Sequence, residues 1–424
     1  MSNTPHPRVN TYQGIGLEHA PFESPQLENP YPFYARARRE EPVFYNPKLD
    51  LWYVSRYEDV ATVLKDAARF SSAGAQDPNF ELPLSVREIL QQGYPPTPSL
   101  VNNDPPSHTR VRRYTSKAFT AASMAQLEPR IRQLTNELID GFIHEGRVDL
   151  IGRFSYPLPT RVILGIVGVP AEDADQIRQW SEDWSALFFA PMPVERQLEC
   201  ARSVIAYQRY MTELIEQRRR QPCNDLASDM VKSALEDGSL SVAELVHVLN
   251  LVLTAGHLTT TNLIANCMYL LLTHPEQWAA VQKEPRLIPS AIEETLRYES
   301  PLLGNIRTTT ETVELGGATL PKGSRLIVLF ASGNRDESVI PEAERFNIQR
   351  EGSPTHFAFG RGIHFCIGAA LARLEGQIAL EQLIKRLPGL RLAREQVLKY
   401  APSLVHRGFQ QLELEWEPQR PAAA

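Results

Sequence analysis

The chain has 424 residues, 42% apolar and 22% charged, with 44 Lys and Arg against 50 Asp and Glu for a net charge of −6. That balance suits a globular protein with a sizeable core and leaves no basic footprint for nucleic acid. Four cysteines (Cys200, Cys223, Cys267 and Cys366), scattered through so long a chain, exclude a disulfide scaffold and suit a reducing compartment.

Residues 1–29 are Pro-rich and polar and carry neither a basic nor an apolar leader region, so they predict an extended surface segment and no secretory signal. No window reaches the ~20 apolar residues of a membrane span, and a cytoplasmic protein is expected. Apolar runs at 42–45 and 51–54, split by Asn46-Pro-Lys-Leu-Asp50, predict a hairpin. Ser55-Arg-Tyr-Glu58 matches a capping box and opens a helix to Leu64. Residues 71–107, rich in Gly, Pro and Ser, predict a long loop of the kind that forms binding lids.

From 109 to 285 the apolar spacing is helical, with breaks at Gly146, Pro157 to Pro159, Pro191 to Pro193, Pro222 and Gly238. A second capping box, Ser241-Val-Ala-Glu244, starts a helix with no proline before Pro275, roughly 50 Å of rise. Ser290-Ala-Ile-Glu293 predicts the cap of a further helix, and strands follow at 308–315, 319–320 and 325–330. A last helix is expected from about Cys366 to Leu387. The class is α+β, mostly α, with one domain over 30–415 and a tail at 416–424.

The strongest chemical signal is Phe359-Gly-Arg-Gly362-Ile-His364-Phe-Cys366-Ile-Gly368. Gly360, Gly362 and Gly368 allow a tight loop and the close approach of a flat ligand. A cysteine at a helix N-terminus is stabilised as thiolate, the form that ligates haem iron. The alternative is a buried structural cysteine in a Gly-rich turn. Here the segment resembles the cysteine-loop signature of the cytochrome P-450 family of haem-thiolate monooxygenases, and three further segments match that family in order, over roughly 30–415.

The resemblance implies the family's fold, a helical bundle with a long central helix and small sheets around a buried haem b whose iron takes the Cys366 thiolate. Glu294-Thr-Leu-Arg297 resembles the family's buried Glu-x-x-Arg pair, completed by Arg345, a structural brace for the cysteine loop. His108 and Arg112, one helical turn apart and otherwise readable as a solvated basic face, are assigned by similarity to the haem propionates. Arg307 and His364 join them, leaving Arg110, Arg113 and Lys117 for solvent or a redox partner. Ala255-Gly256-His-Leu258-Thr259-Thr260 resembles the oxygen-binding groove, with the Thr259 hydroxyl relaying protons. A plain packing notch is the alternative. The family commonly has Asp or Glu where this chain has Leu258, which leaves water and Thr259, a polar group of the substrate, or a reaction needing fewer protons.

By the same resemblance the pocket wall draws on 72–103, 184–193, 251–259, 301–306 and 403–405. Phe188, Phe189, Leu251, Leu258, Leu302, Leu303, Ile306 and Leu404 make it apolar, with Thr254 and Asn305 as polar anchors. This predicts hydroxylation or epoxidation of a bulky hydrophobic natural product, such as a macrolide, terpenoid or modified peptide, by a monomer similar to macrolide hydroxylases. Electrons come from NAD(P)H through a ferredoxin and its reductase, with O2 as oxidant. Oxidative coupling, tailoring of a carrier-bound intermediate, and a non-catalytic haem-thiolate sensor are the alternatives.

Overall fold

The computed structural model describes residues 12–238, 240–352 and 355–418. The expected hairpin forms, Val43–Asn46 against Leu51–Val54, with Tyr45 opposite Trp52. It is one edge of a five-stranded sheet. Leu51–Val54 runs parallel to Arg325–Val328, which pairs antiparallel with Asn305–Thr309, and the short Phe70–Ser71 closes the far edge. Val313–Leu315 and Ala318–Leu320 make a separate hairpin, so the strand expected over 308–315 is two strands broken at 310–312.

A three-stranded antiparallel sheet, Arg147–Asp149, Glu413–Glu415 and Arg391–Leu392, lies apart from these, and the remaining regular structure is helical. The central helix, Val242–Thr273, is 32 residues long, about 48 Å of rise. Its start is as the sequence predicts: Ser241 Oγ accepts from the Glu244 N–H (3.2 Å) while Glu244 Oε2 accepts from the Ser241 N–H (2.8 Å). By length and composition this helix could cross a membrane, but it runs through the middle of the protein and supplies apolar side chains to the two largest core clusters. Its C-terminal half packs with Ile288–Tyr298 and Ala369–Arg386, the latter backed by Ala121–Asp140; its N-terminal half packs with Pro157–Val167, Val194–Arg220 and Leu226–Asp237.

Several expectations are corrected. Ser55 does not cap the next helix; its hydroxyl donates to Pro42 O (2.8 Å), and the Tyr57 N–H is capped by Asp336 Oδ2 (2.8 Å) from 279 residues away. Ser290 sits inside Ile288–Tyr298 and donates to Leu287 O, because Pro289 already starts that helix. The 71–107 segment contains the helix Leu84–Leu90, whose Val86 is buried with Leu187 and Val204. Residues 1–11 lie outside the described residues. The rest of the segment expected to be extended holds a 3-10 turn, Ile15–Glu18, and buries His19 among Phe33, Phe44 and Tyr53. The expected tail starts with Trp416, which is buried and donates through Nε1 to Ile143 O (2.9 Å); residues 419–424 lie outside the described residues.

Candidate functional site

The segment from Phe357 to Gly368 folds as a tight loop before the helix Ala369–Arg386. Gly360 and Gly362 take φ of +66° and +71°, and a Cβ on Gly362 would stand 2.6 Å from Leu64 O, so both positions require glycine. Gly368 has an ordinary φ and caps the helix, which places Cys366 three residues before the first helical residue instead of at it. The Cys366 N–H donates to Phe359 O (2.9 Å). Burial holds the thiol above its ordinary range, offset only in part by the Gly368 N–H and then by the guanidiniums of Arg112 and Arg373. Cys200 and Cys267 are buried in helices and Cys223 is exposed on the outside, so Cys366 is the cysteine that faces the interior cavity.

That cavity, about 270 Å3, lies between the cysteine loop, the middle of the central helix and the strand Asn305–Thr309. Arg112 donates to the carbonyls of Ile363 (2.9 Å) and Phe365 (2.6 Å), in the loop just before Cys366. Arg307 is 4% exposed, bonds only its neighbour's carbonyl, and is pushed down to about 10 by burial, partly offset by Asp104. Burial and then Arg112 push His108 below the usual histidine range, and its Nε2 has no hydrogen-bond partner among the described residues. Neither guanidinium has a carboxylate within ion-pair distance among the described residues. A cavity floor with a thiol, a glycine loop and two cations lacking an anion fits a flat, dianionic, metal-centred group such as haem. His364 lines the same cavity; its Nδ1 meets Leu100 O (3.1 Å), its Nε2 meets Ser72 Oγ (2.9 Å), and its ring packs on His108.

Opposite the loop, Ala255, Gly256 and Thr259 line the cavity, and Thr259 Oγ1 donates to Ala255 O (3.1 Å) as a back-bonded threonine does. A Cβ on Gly256 would stand 2.6 Å from Ile163 Cγ1, so this glycine also serves close helix packing. Phe359 lines the cavity beneath the Arg373 guanidinium, 4.5 Å from its ring centroid.

Glu294 and Arg297 form the expected buried pair, Oε2 to Nε and Oε1 to Nη2, both 2.8 Å. The third arginine is a correction. Arg345 contributes its carbonyl to Arg297 (3.1 Å), while its side chain is exposed beside Glu342. Arg350, nearly buried, points Nε at Glu294 Oε1 (3.3 Å) and fills the role. Arg110 is not free for solvent either, because it pairs with Glu244 of the central helix.

Of the expected pocket residues, Phe189, Leu251, Thr254, Leu302 and Asn305 line the cavity. Ile306 does not, because strand alternation sends it to the opposite side from Asn305 and Arg307, into the cluster holding Leu303 and Leu404. Phe188 packs against that cluster, and Leu258 against the largest core cluster, where an apolar side chain belongs. Trp184 and Gln76 line the cavity from within the segments expected to form its wall, Phe119 lines it from outside them, and His406 lies one residue beyond the last of them.

The cytochrome P450 family model matches residues 42–388. "Cytochrome P450 107B1" of Saccharopolyspora erythraea is 42% identical over 398 residues, covering 92% of this chain and 94% of its own. "Vitamin D(3) 25-hydroxylase" of Pseudonocardia autotrophica is 37% identical over 406 residues, covering 95% and 97%. The solved structure of cytochrome P450 CREJ in complex with (4-ethylphenyl) dihydrogen phosphate superposes with a TM-score of 0.91 at 31% identity, covering 95% and 100%.

Proposed function

The chain belongs to the cytochrome P450 family and is an oxygen-dependent monooxygenase; on that footing we propose that it hydroxylates or epoxidises a bulky, mostly apolar natural product. The observation that carries this is the single cavity in which the Cys366 thiol, two cations lacking an anion and the Thr259 notch meet beneath apolar walls. Cys366 would ligate the haem iron, Arg112 and Arg307 would take its propionates with His364 beside them on the cavity wall, and the buried His108 packs behind His364. Bound there, haem supplies the reduction of O2 that delivers one oxygen atom to a C–H or C=C bond. Thr259 holds a hydroxyl at the cavity wall for proton delivery, and with Leu258 packed into the core the remaining relay is water.

Macrolides, terpenoids and modified peptides are the substrate classes this wall suits, and a relative named for vitamin D(3) hydroxylation supports a rigid apolar scaffold. The electrons come from NAD(P)H through a separate ferredoxin and reductase, with the enzyme a cytoplasmic monomer. The test is turnover of such a panel with that redox pair under isotopically labelled O2. One labelled atom in a product supports the reading; consumption of reductant with no labelled product from any scaffold counts against it.

A further inference from the structure

The cavity is electrically one-sided. No Asp or Glu occurs among its described lining residues. Its cationic side chains come from the helix Ser107–Thr115 (Arg112), the strand Asn305–Thr309 (Arg307) and the cysteine loop (Arg361). Arg112 and Arg307 are those assigned above to haem carboxylates, and Arg361 donates to Tyr57 OH (3.1 Å) and Thr355 O (3.3 Å). Apart from that floor, from Thr259 and Thr260 on the central helix and from the Trp184 indole, four polar side chains line the cavity. Thr254 Oγ1 donates away from the cavity to Ser181 Oγ (3.1 Å). Asn305 Oδ1 accepts from the Ile306 N–H (2.8 Å), and Gln76 Oε1 from Ser99 Oγ (3.4 Å). His406 is the fourth. Its Nδ1 meets Ser185 Oγ (3.2 Å), its ring stands edge-on to Phe189 with centroids 6.1 Å apart, and a β-bridge to Leu302 fixes its backbone. Nε2 has no hydrogen-bond partner among the described residues, and burial pushes the imidazole down to about 4, so it is neutral at pH 7.

From these placements we propose that the cavity selects an uncharged substrate, and that His406 orients it by a hydrogen bond between Nε2 and one hydroxyl or carbonyl oxygen. This rests on the monooxygenase reading and narrows it. An ammonium group would give up its hydration for walls without a carboxylate, and a carboxylate group would find Arg112 and Arg307 committed to haem and Arg361 held by Tyr57 and Thr355. Ser185 sets the match. Donating to Nδ1, it leaves the proton on Nε2, which then donates; in the other tautomer Nε2 accepts. A hydroxyl suits both tautomers and a carbonyl the first. His406 is therefore a specificity residue for the reaction, and Ser185 a positioning residue behind it.

The test uses the haem-loaded enzyme and equilibrium dialysis against one steroid hydrocarbon and its hydroxyl, ketone, primary ammonium and carboxylate derivatives at a single ring position. The hydroxyl and ketone are expected to bind about tenfold tighter than the hydrocarbon, and both charged derivatives at least about tenfold weaker than the hydroxyl. In His406→Phe, which keeps an aromatic ring, the hydroxyl's advantage falls to within about twofold while hydrocarbon affinity stays put, a pattern that loss of fold would not produce. Equal or tighter binding of a charged derivative, a hydroxyl advantage that survives His406→Phe, or no binding by any member overturns the proposal. The labelled-oxygen assay on the broader panel reports separately on the monooxygenase reading, because it does not depend on which steroid binds.

Discussion

Arg345 and Arg350 show how a side chain's direction decides its role. Both lie in the segment after Pro341 and both touch the Glu294–Arg297 pair, but Arg345 does so through its carbonyl and Arg350 through its guanidinium. Removing one partner of a buried ion pair costs about 3–5 kcal/mol, whereas an exposed pair contributes about 0–1 kcal/mol. Arg350→Ala is therefore expected to lower the urea midpoint strongly and Arg345→Ala hardly at all; equal losses would contradict the assignment. The sequence made the Glu294–Arg297 pair legible because its spacing is local. It could not separate two arginines five residues apart in an irregular segment, where no period says which side chain turns inward. The same holds for His406, whose place on the cavity wall depends on a bridge to Leu302 from over a hundred residues away.

At the scale of elements, what was legible followed local rules. The reciprocal cap at Ser241 and Glu244, the hairpin at 43–54 and the loop glycines at 360 and 362 each depend on residues within a few positions of one another. What was not legible depended on distant partners, as when Asp336 caps the helix Tyr57–Lys65 and Ser55 turns to Pro42 instead. Gly256 combines both scales. Alanine there would gain about 1 kcal/mol of helix propensity, but its Cβ would press on the fully buried, β-branched Ile163, and overpacking of that kind costs about 1–3 kcal/mol. Gly256→Ala is expected to be less stable than the parent by chemical denaturation; a more stable variant would show that the two helices separate easily.

Over the whole molecule, buried histidines set the acid limit. Burial pushes His19 down to about 3 and His257 down to about 4, so both stay neutral when folded, while in the unfolded chain they take up protons near pH 6.5. Their contribution is complete above pH 6.5 and is lost as pH falls towards 4, by up to about 1.4 kcal/mol per pH unit for each. Glu293 acts in a lower window. Burial would raise its carboxyl, but hydrogen bonds from His356 and Arg373 outweigh it and hold it at about 2, so its share is lost only below about pH 4.5. The urea midpoint should therefore fall between pH 7 and pH 5, before Glu293 matters. A midpoint that holds or rises over that interval would contradict the placement of the two histidines.

Everything proposed for the cavity depends on Cys366 being the thiolate that holds the haem, and the absorbance spectrum of the reduced, carbon-monoxide-bound protein tests this most directly. The parent and the Cys200→Ser, Cys223→Ser and Cys267→Ser variants are expected to show the thiolate-ligated spectrum, and Cys366→Ser to lose it. A thiolate spectrum that persists in Cys366→Ser, or that disappears with one of the other three cysteines in its folded form, would contradict the account.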